Sequence, residues 1–111
     1  MGHMISIILP TVRPHLYRRA FDSIAAACGT VRYEVILVAD FGPEQLPNTT
    51  WIVRERRGPI DAIWVASLEA SADYLFVFND ESVLEDGALA SLYYHALMNP
   101  GRVLSPQSVP H

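Results

Sequence analysis

Continuous apolar runs alternate along this chain with segments whose apolar residues recur every three or four positions. ISIILP (residues 5–10) is an apolar run closed by proline, the pattern of a strand buried on both faces. Leu16, Ala20, Ile24 and Ala27 then recur at helical spacing, with Arg18, Arg19 and Asp22 on other faces. They predict an amphipathic helix that begins near Pro14, a good first-turn residue, and ends at Gly29-Thr30. YEVILVAD (33–40) predicts a second buried strand, rich in β-branched residues. FGPEQLPN is a loop with two prolines, and TWIVRE (50–55) a third, shorter strand. From Pro59 to about Ser71, residues Ile60, Ile63, Trp64, Ser67 and Leu68 form a second helical stripe. DYLFVFN (73–79) reads as the fourth strand. Leu89, Leu92, Tyr93 and Ala96 mark a third helix ending before Asn99-Pro100-Gly101, and RVLS (102–105) is a candidate fifth strand.

Buried strands alternating with helices imply an α/β fold: a mostly parallel, doubly wound, Rossmann-like sheet of four to five strands with helices on both faces. The length suits one domain. Residues 1–3 read as a cloning remnant before Met4, and 4–111 as a single domain.

Composition narrows the chemistry. A formal net charge of -4 argues against a nucleic-acid partner, which calls for a basic face. No apolar run is long enough to span a bilayer. Cys28 is the single cysteine, so no internal disulfide forms; it reads as core filler in a reducing, cytoplasmic setting. Every basic residue other than histidine is arginine. Without lysine, a Walker-type phosphate loop, a Schiff-base enzyme and a response-regulator receiver are all excluded. There is no G-x-G-x-x-G either.

In an open α/β sheet, ligands bind outside the carboxyl ends of the strands, where the strand order reverses. The first strand here ends in Pro10-Thr11-Val12-Arg13 and the second in Ala39-Asp40. The third ends in Arg54-Glu55-Arg56-Arg57-Gly58 and the fourth in Asn79-Asp80-Glu81. Parallel strands bring these ends to one edge. Hydroxyl, carboxylates and guanidiniums together suit a hard divalent cation, magnesium or manganese, with a diphosphate. Asp80 and Glu81 would supply carboxylates, Arg56 or Arg57 would hold a phosphate, and Asp40 would accept from a ribose or base.

These stretches carry a resemblance. SIILPTVRPHLYRRAFDSI, YEVILVAD and RRGPIDAIWVASLEASADYLFVFNDESVLEDGAL resemble, in order and spacing, the amino-terminal half of family 2 glycosyltransferases of the GT-A fold. The resemblance covers essentially the whole chain from Met4. It implies a domain that binds a UDP- or GDP-linked sugar with magnesium or manganese, for inverting transfer to an acceptor. It places Pro10, Thr11, Val12, Arg13 and Asp40 against the nucleoside; the residues themselves make Arg57, beside Gly58, the candidate phosphate contact. Asp80 takes the ribose-facing role and Glu81 the metal-facing one, with Asn79 in support.

The chain departs from that family at several positions. Ala39 stands where the first of two aspartates is usual, and Phe41-Gly42 where glycine-serine is. Ile63-Trp64 replaces the common arginine-asparagine, and Glu81 is one methylene longer than aspartate. The family's general base and acceptor site lie farther along than this sequence reaches. Two other readings therefore stay open: an inactive nucleotide-binding module, and an interaction domain that forms a homo-oligomer through an exposed sheet edge. Locally, Ser82 and Glu85 fit a capping box, so the acidic cluster also reads as the start of a helix. Asp61 reads as a first-turn acid that complements the helix dipole.

Overall fold

The computed structural model describes residues 5–55, 58–81, 83–98 and 108–109. Its elements run in the order β1 (Ile5–Thr11), α1 (Tyr17–Cys28), β2 (Tyr33–Ala39), β3 (Thr49–Val53), α2 (Pro59–Glu69), β4 (Tyr74–Val77), β5 (Val83–Leu84), α3 (Ala88–Met98) and β6 (Ser108–Val109). The four expected strands form a parallel sheet in the order β3-β2-β1-β4. The candidate fifth strand at 102–105 lies outside the described residues. A separate two-residue antiparallel pairing joins β5 to β6.

The continuous apolar runs are explained by burial on both faces. Ile5, Ile7, Leu9, Val35 and Leu37 point to one side, under Ala20, Ile24 and Ala27 of α1 and Leu89 and Tyr93 of α3. Ile8, Ile36 and Val38 point to the other, under α2. A helix layer thus lies on each face, as the alternating pattern predicts.

The structure moves two helix boundaries. α1 begins at Tyr17, not near Pro14, because Leu16 and Tyr17 both donate to the Arg13 carbonyl in a preceding turn. Tyr17 is buried while Leu16 is exposed, so the stripe starts one residue later than its spacing suggests. α3 begins at Ala88, several residues beyond the expected capping box at Ser82 and Glu85, of which Ser82 lies outside the described residues. The Leu84 N–H instead donates to Ser23 Oγ at 3.1 Å and the Gly87 N–H to the Ala26 carbonyl at 2.9 Å, tying this segment to α1.

α2 corrects the sequence reading more deeply. Its buried side is Ala66 with Ala62 and Ile63, set on Ile8, Ile36 and Val38. Ile60, Trp64 and Leu68 of the expected stripe are exposed, Trp64 by 65%. Alanines let the helix lie close to the sheet, and the bulky side chains are turned outward.

At the amino-terminal end of the sheet a polar clamp closes the fold. Ser6, fully buried, donates to Glu34 Oε2 at 2.5 Å and accepts from the Ala72 N–H at 3.1 Å. The Ser71 N–H and hydroxyl both donate to the same Glu34 oxygen at 2.7 Å. The clamp binds the α2–β4 connection to β1 and β2 and leaves the opposite end of the sheet open.

Candidate functional site

The strand order reverses between β1 and β4. α1 carries the chain from β1 out to β2, and α2 carries it back from β3 across the sheet to β4. At the carboxyl ends of the strands this leaves a cleft of about 570 Å³, within the usual range for small-molecule sites. Pro10, Thr11, Val12 and Arg13 line it from β1, Asp40 from β2, Gly58 from the start of α2, and Asn79 and Asp80 from β4. The position expected for ligand binding in an open α/β sheet is thus where these residues meet. Arg57 lies outside the described residues.

Its polar groups are held in place. Asp80 is only 8% exposed, and the Thr11 hydroxyl donates to its Oδ2 at 2.7 Å. Thr11 Oγ1 in turn accepts from the Arg13 N–H at 3.2 Å, which turns the chain outward after β1. Asn79 Oδ1 accepts from the Glu81 N–H at 2.9 Å, turning the chain after β4 so that Asp80 points inward and Glu81 outward. The Arg13 guanidinium pairs with the Glu81 carboxylate across the mouth. Asp40 is exposed, one residue beyond β2.

Two further residues join the wall that their local context did not mark as site residues. Arg54 donates through Nε to Asp61 Oδ2 at 2.6 Å and through Nη2 to Oδ1 at 3.1 Å. This fork fixes the start of α2 against the end of β3, and the hydrogen bond to Asp61 holds the Arg54 guanidinium above its usual pKa. Gly58, with φ 91°, supplies the left-handed turn into α2, with no heavy atom within 4 Å of where a Cβ would stand. The floor is apolar: Val38, Ala62, Ile63, Val77 and Phe78.

Beside the cleft, the loop after β2 is pinned by three mutually packed rings. Tyr17, Phe41 and Trp51 have centroids 5.5–5.6 Å apart, and Trp51 Nε1–H donates to the Phe41 carbonyl at 2.9 Å. Phe41, which departs from the small residues of the resembled family, is thus a packing residue that sets the position of the loop behind Asp40.

Among the described residues, no three His, Cys, Asp or Glu side chains converge as a metal cage. The donors at the end of β4 are the two carboxylates of Asp80 and Glu81 with the Asn79 amide. Their oxygens are of the kind magnesium takes, one or two protein carboxylates with water and substrate oxygens filling the remaining positions, but Asp80 points inward while Glu81 points outward and pairs with Arg13. No described helix is long and apolar enough to cross a membrane.

No protein-family profile and no curated protein matches the sequence. Solved structures do match. The chain superposes on S. aureus TarS, a glycosyltransferase, with a TM-score of 0.71 at 16% identity over 91% of its own length. On TarS 1-349 the TM-score is 0.70 at 17% identity over 94%. It spans 23% and 38% of the length of those two chains. The fold is therefore the Rossmann-like α/β fold of these glycosyltransferase neighbours.

Proposed function

We propose that this chain binds a nucleotide-diphosphate sugar and forms the donor-binding part of an inverting glycosyltransferase of the family 2, GT-A type. The observation that carries the reading is the buried Asp80 carboxylate, fixed by Thr11 at the strand-order reversal and opening into a cleft of ligand size. The likeness to TarS supports the glycosyltransferase class at the level of fold.

In this reading each group has a task. Asp80, held in one orientation, accepts hydrogen bonds from the ribose hydroxyls. Asp40, at the exposed end of β2, accepts from the base. Arg13 exchanges Glu81 for a phosphate oxygen, a charge-assisted contact of similar geometry. The amides of the first turn of α2, beyond Gly58, favour negative charge. Glu81, Asp80 and Asn79 hold magnesium or manganese, which supplies charge neutralisation for the diphosphate.

Calorimetric titration of UDP and GDP, with and without manganese, tests the proposal. Metal-dependent binding is expected, weakened at least about tenfold in Asp80→Asn and in Glu81→Gln, the loss of one good charged contact. No binding of either nucleotide at millimolar concentration, with or without metal, would overturn it.

A further inference from the structure

The α2 side of the cleft carries a charge of the wrong sign for a diphosphate. A helix amino terminus attracts anions through its amides and its dipole. Gly58 supplies no side-chain cap to α2, but Asp61 is in the first turn and lines the cleft. Its carboxylate stands in the field that should attract phosphate. Among the described lining residues it is the one charged group that α2 contributes. Arg54, in the same wall, answers it by bonding both Asp61 oxygens, at 2.6 and 3.1 Å. The sheet fixes Arg54 in turn. Its N–H donates to the Ala39 carbonyl at 2.8 Å, which carries the β2–β3 ladder one residue past the end of β3. As a staple the fork has little to do. The two side chains are 36% and 25% exposed, and an ion pair so open to water adds little stability. α2 is already seated by Ala66, Ala62 and Ile63 on Ile8, Ile36 and Val38. What the fork changes is the charge that the wall shows to a ligand.

We propose that Arg54 is a specificity-determining residue of this site: by cancelling the charge of Asp61 it lets the α2 wall accept a diphosphate, and it takes no part in holding the nucleoside. The inference rests on the nucleotide-diphosphate reading and deepens it. In that reading the nucleoside lies against Asp80 and Asp40 at the strand ends, and the phosphates lie towards α2. Without Arg54, the Asp61 carboxylate faces the phosphates uncancelled, and the cost falls on them alone. Without Asp61, Arg54 becomes a free cation in the same wall, and the phosphates gain a charged partner. The two single substitutions therefore act in opposite directions. A staple behaves otherwise, because losing either half of it has the same effect.

Calorimetry with UDP and GDP in manganese tests this, beside nuclear magnetic resonance titration with uridine and guanosine, which reads millimolar affinities. The proteins are the parent, Arg54→Gln, Asp61→Asn and the double variant, each checked for folding by circular dichroism. For the nucleotide that binds the parent, Arg54→Gln should weaken the diphosphate about tenfold, the scale of one uncancelled charge several ångströms from another, and leave its nucleoside unchanged. Asp61→Asn should bind the diphosphate more tightly than the parent does, and the double variant should return close to the parent. Equal losses in the two single variants overturn the proposal and make the fork a staple. So does a nucleoside affinity that falls as far as the diphosphate's in Arg54→Gln. Should Arg54→Gln not fold, Asp61→Asn decides: a diphosphate bound no more tightly than by the parent overturns the proposal. A parent that binds neither nucleotide overturns the donor-site reading itself, and the role of Arg54 with it.

Discussion

Thr11 and Asp80, 69 residues apart, are joined by a hydrogen bond of 2.7 Å across the junction of β1 and β4. With the exposed Arg13–Glu81 ion pair it spans the reversal of strand order at the open end of the sheet, and unlike that pair both its partners are buried. Thr11→Val keeps the shape and removes the donor. The Asp80 carboxylate then has a lost partner inside the fold, at a cost of about 1–3 kcal/mol. Denaturant unfolding should show that loss. The same variant should weaken nucleotide binding, because Asp80 is no longer held in one orientation. Unchanged stability would mean that water replaces the hydroxyl without cost.

Ser6 lies at the other end of β1 and offers the matching control. Ser6→Ala takes a partner from Glu34 Oε2 and from the Ala72 N–H. The expected cost is again about 1–3 kcal/mol. The clamp is at the amino-terminal end of the sheet, so nucleotide affinity should not change while the protein stays folded. Unfolding curves and calorimetry on this variant and on Thr11→Val separate a site residue from a purely structural one.

Gly42 marks the tight point of the loop behind Asp40. Its φ is 89°, and an added Cβ would lie 2.5 Å from the Trp51 ring. Gly42→Ala therefore combines left-handed strain with overpacking, about 2–4 kcal/mol together. A fall in melting temperature and a loss of the Trp51 near-ultraviolet signal should accompany it. A variant as stable as the parent would show that the three-ring cluster gives way at little cost.

α2 shows where the sequence was readable and where it was not. β1 and β2 were legible because a continuous apolar run is stable only when both faces are covered; β3 and β4 are half-exposed edge strands, legible from their short β-branched and aromatic runs, and all four lie close to where their runs predict. α2 has apolar residues almost all round, so Ile60-Trp64-Leu68 and Ala62-Ala66 both repeat at helical spacing. Hydrophobicity cannot choose between them; the closeness of helix to sheet does, and it selects the small side. Asn79, Asp80 and Thr11 were legible as polar strand ends. Arg54 and Asp61 were not, because each has a sufficient local explanation and only the turn from β3 into α2 brings them together. Phe41 was equally hidden, since its role is a contact among α1, a loop and β3.

That orientation of α2 is directly testable. Trp64→Gln touches an exposed side chain, and its stability should stay within about 0.5 kcal/mol of the parent. Ala66→Leu forces three extra carbons between α2 and the strands beneath, and should cost about 1–3 kcal/mol. Thermal unfolding of the two variants compares them. The reverse order, a costly Trp64 change and a harmless Ala66 change, would mean that the helix presents its other face to the sheet.

Alkaline pH should weaken the fold through two buried groups. Burial pushes the Cys28 thiol from 9.0 up to about 12. The Tyr17 phenol rises from 10.0 to about 12, through burial first and then its hydrogen bond with Glu44. Below pH 9 the folded and unfolded chains both keep the Cys28 proton, and stability does not depend on it. Above pH 9 the unfolded chain releases that proton and the folded chain holds it, so the unfolding free energy falls as pH rises. The slope is about 1.4 kcal/mol per pH unit for each group, with Tyr17 joining above pH 10. Urea unfolding as a function of pH should show this decline, flattening as the folded groups themselves ionise near pH 12. Cys28→Ala should abolish the part of the slope between pH 9 and 10, where the phenol has not begun to contribute. If the slope in that interval survives the substitution, the thiol is not its source, and Cys28 ionises as freely in the folded chain as in the unfolded one.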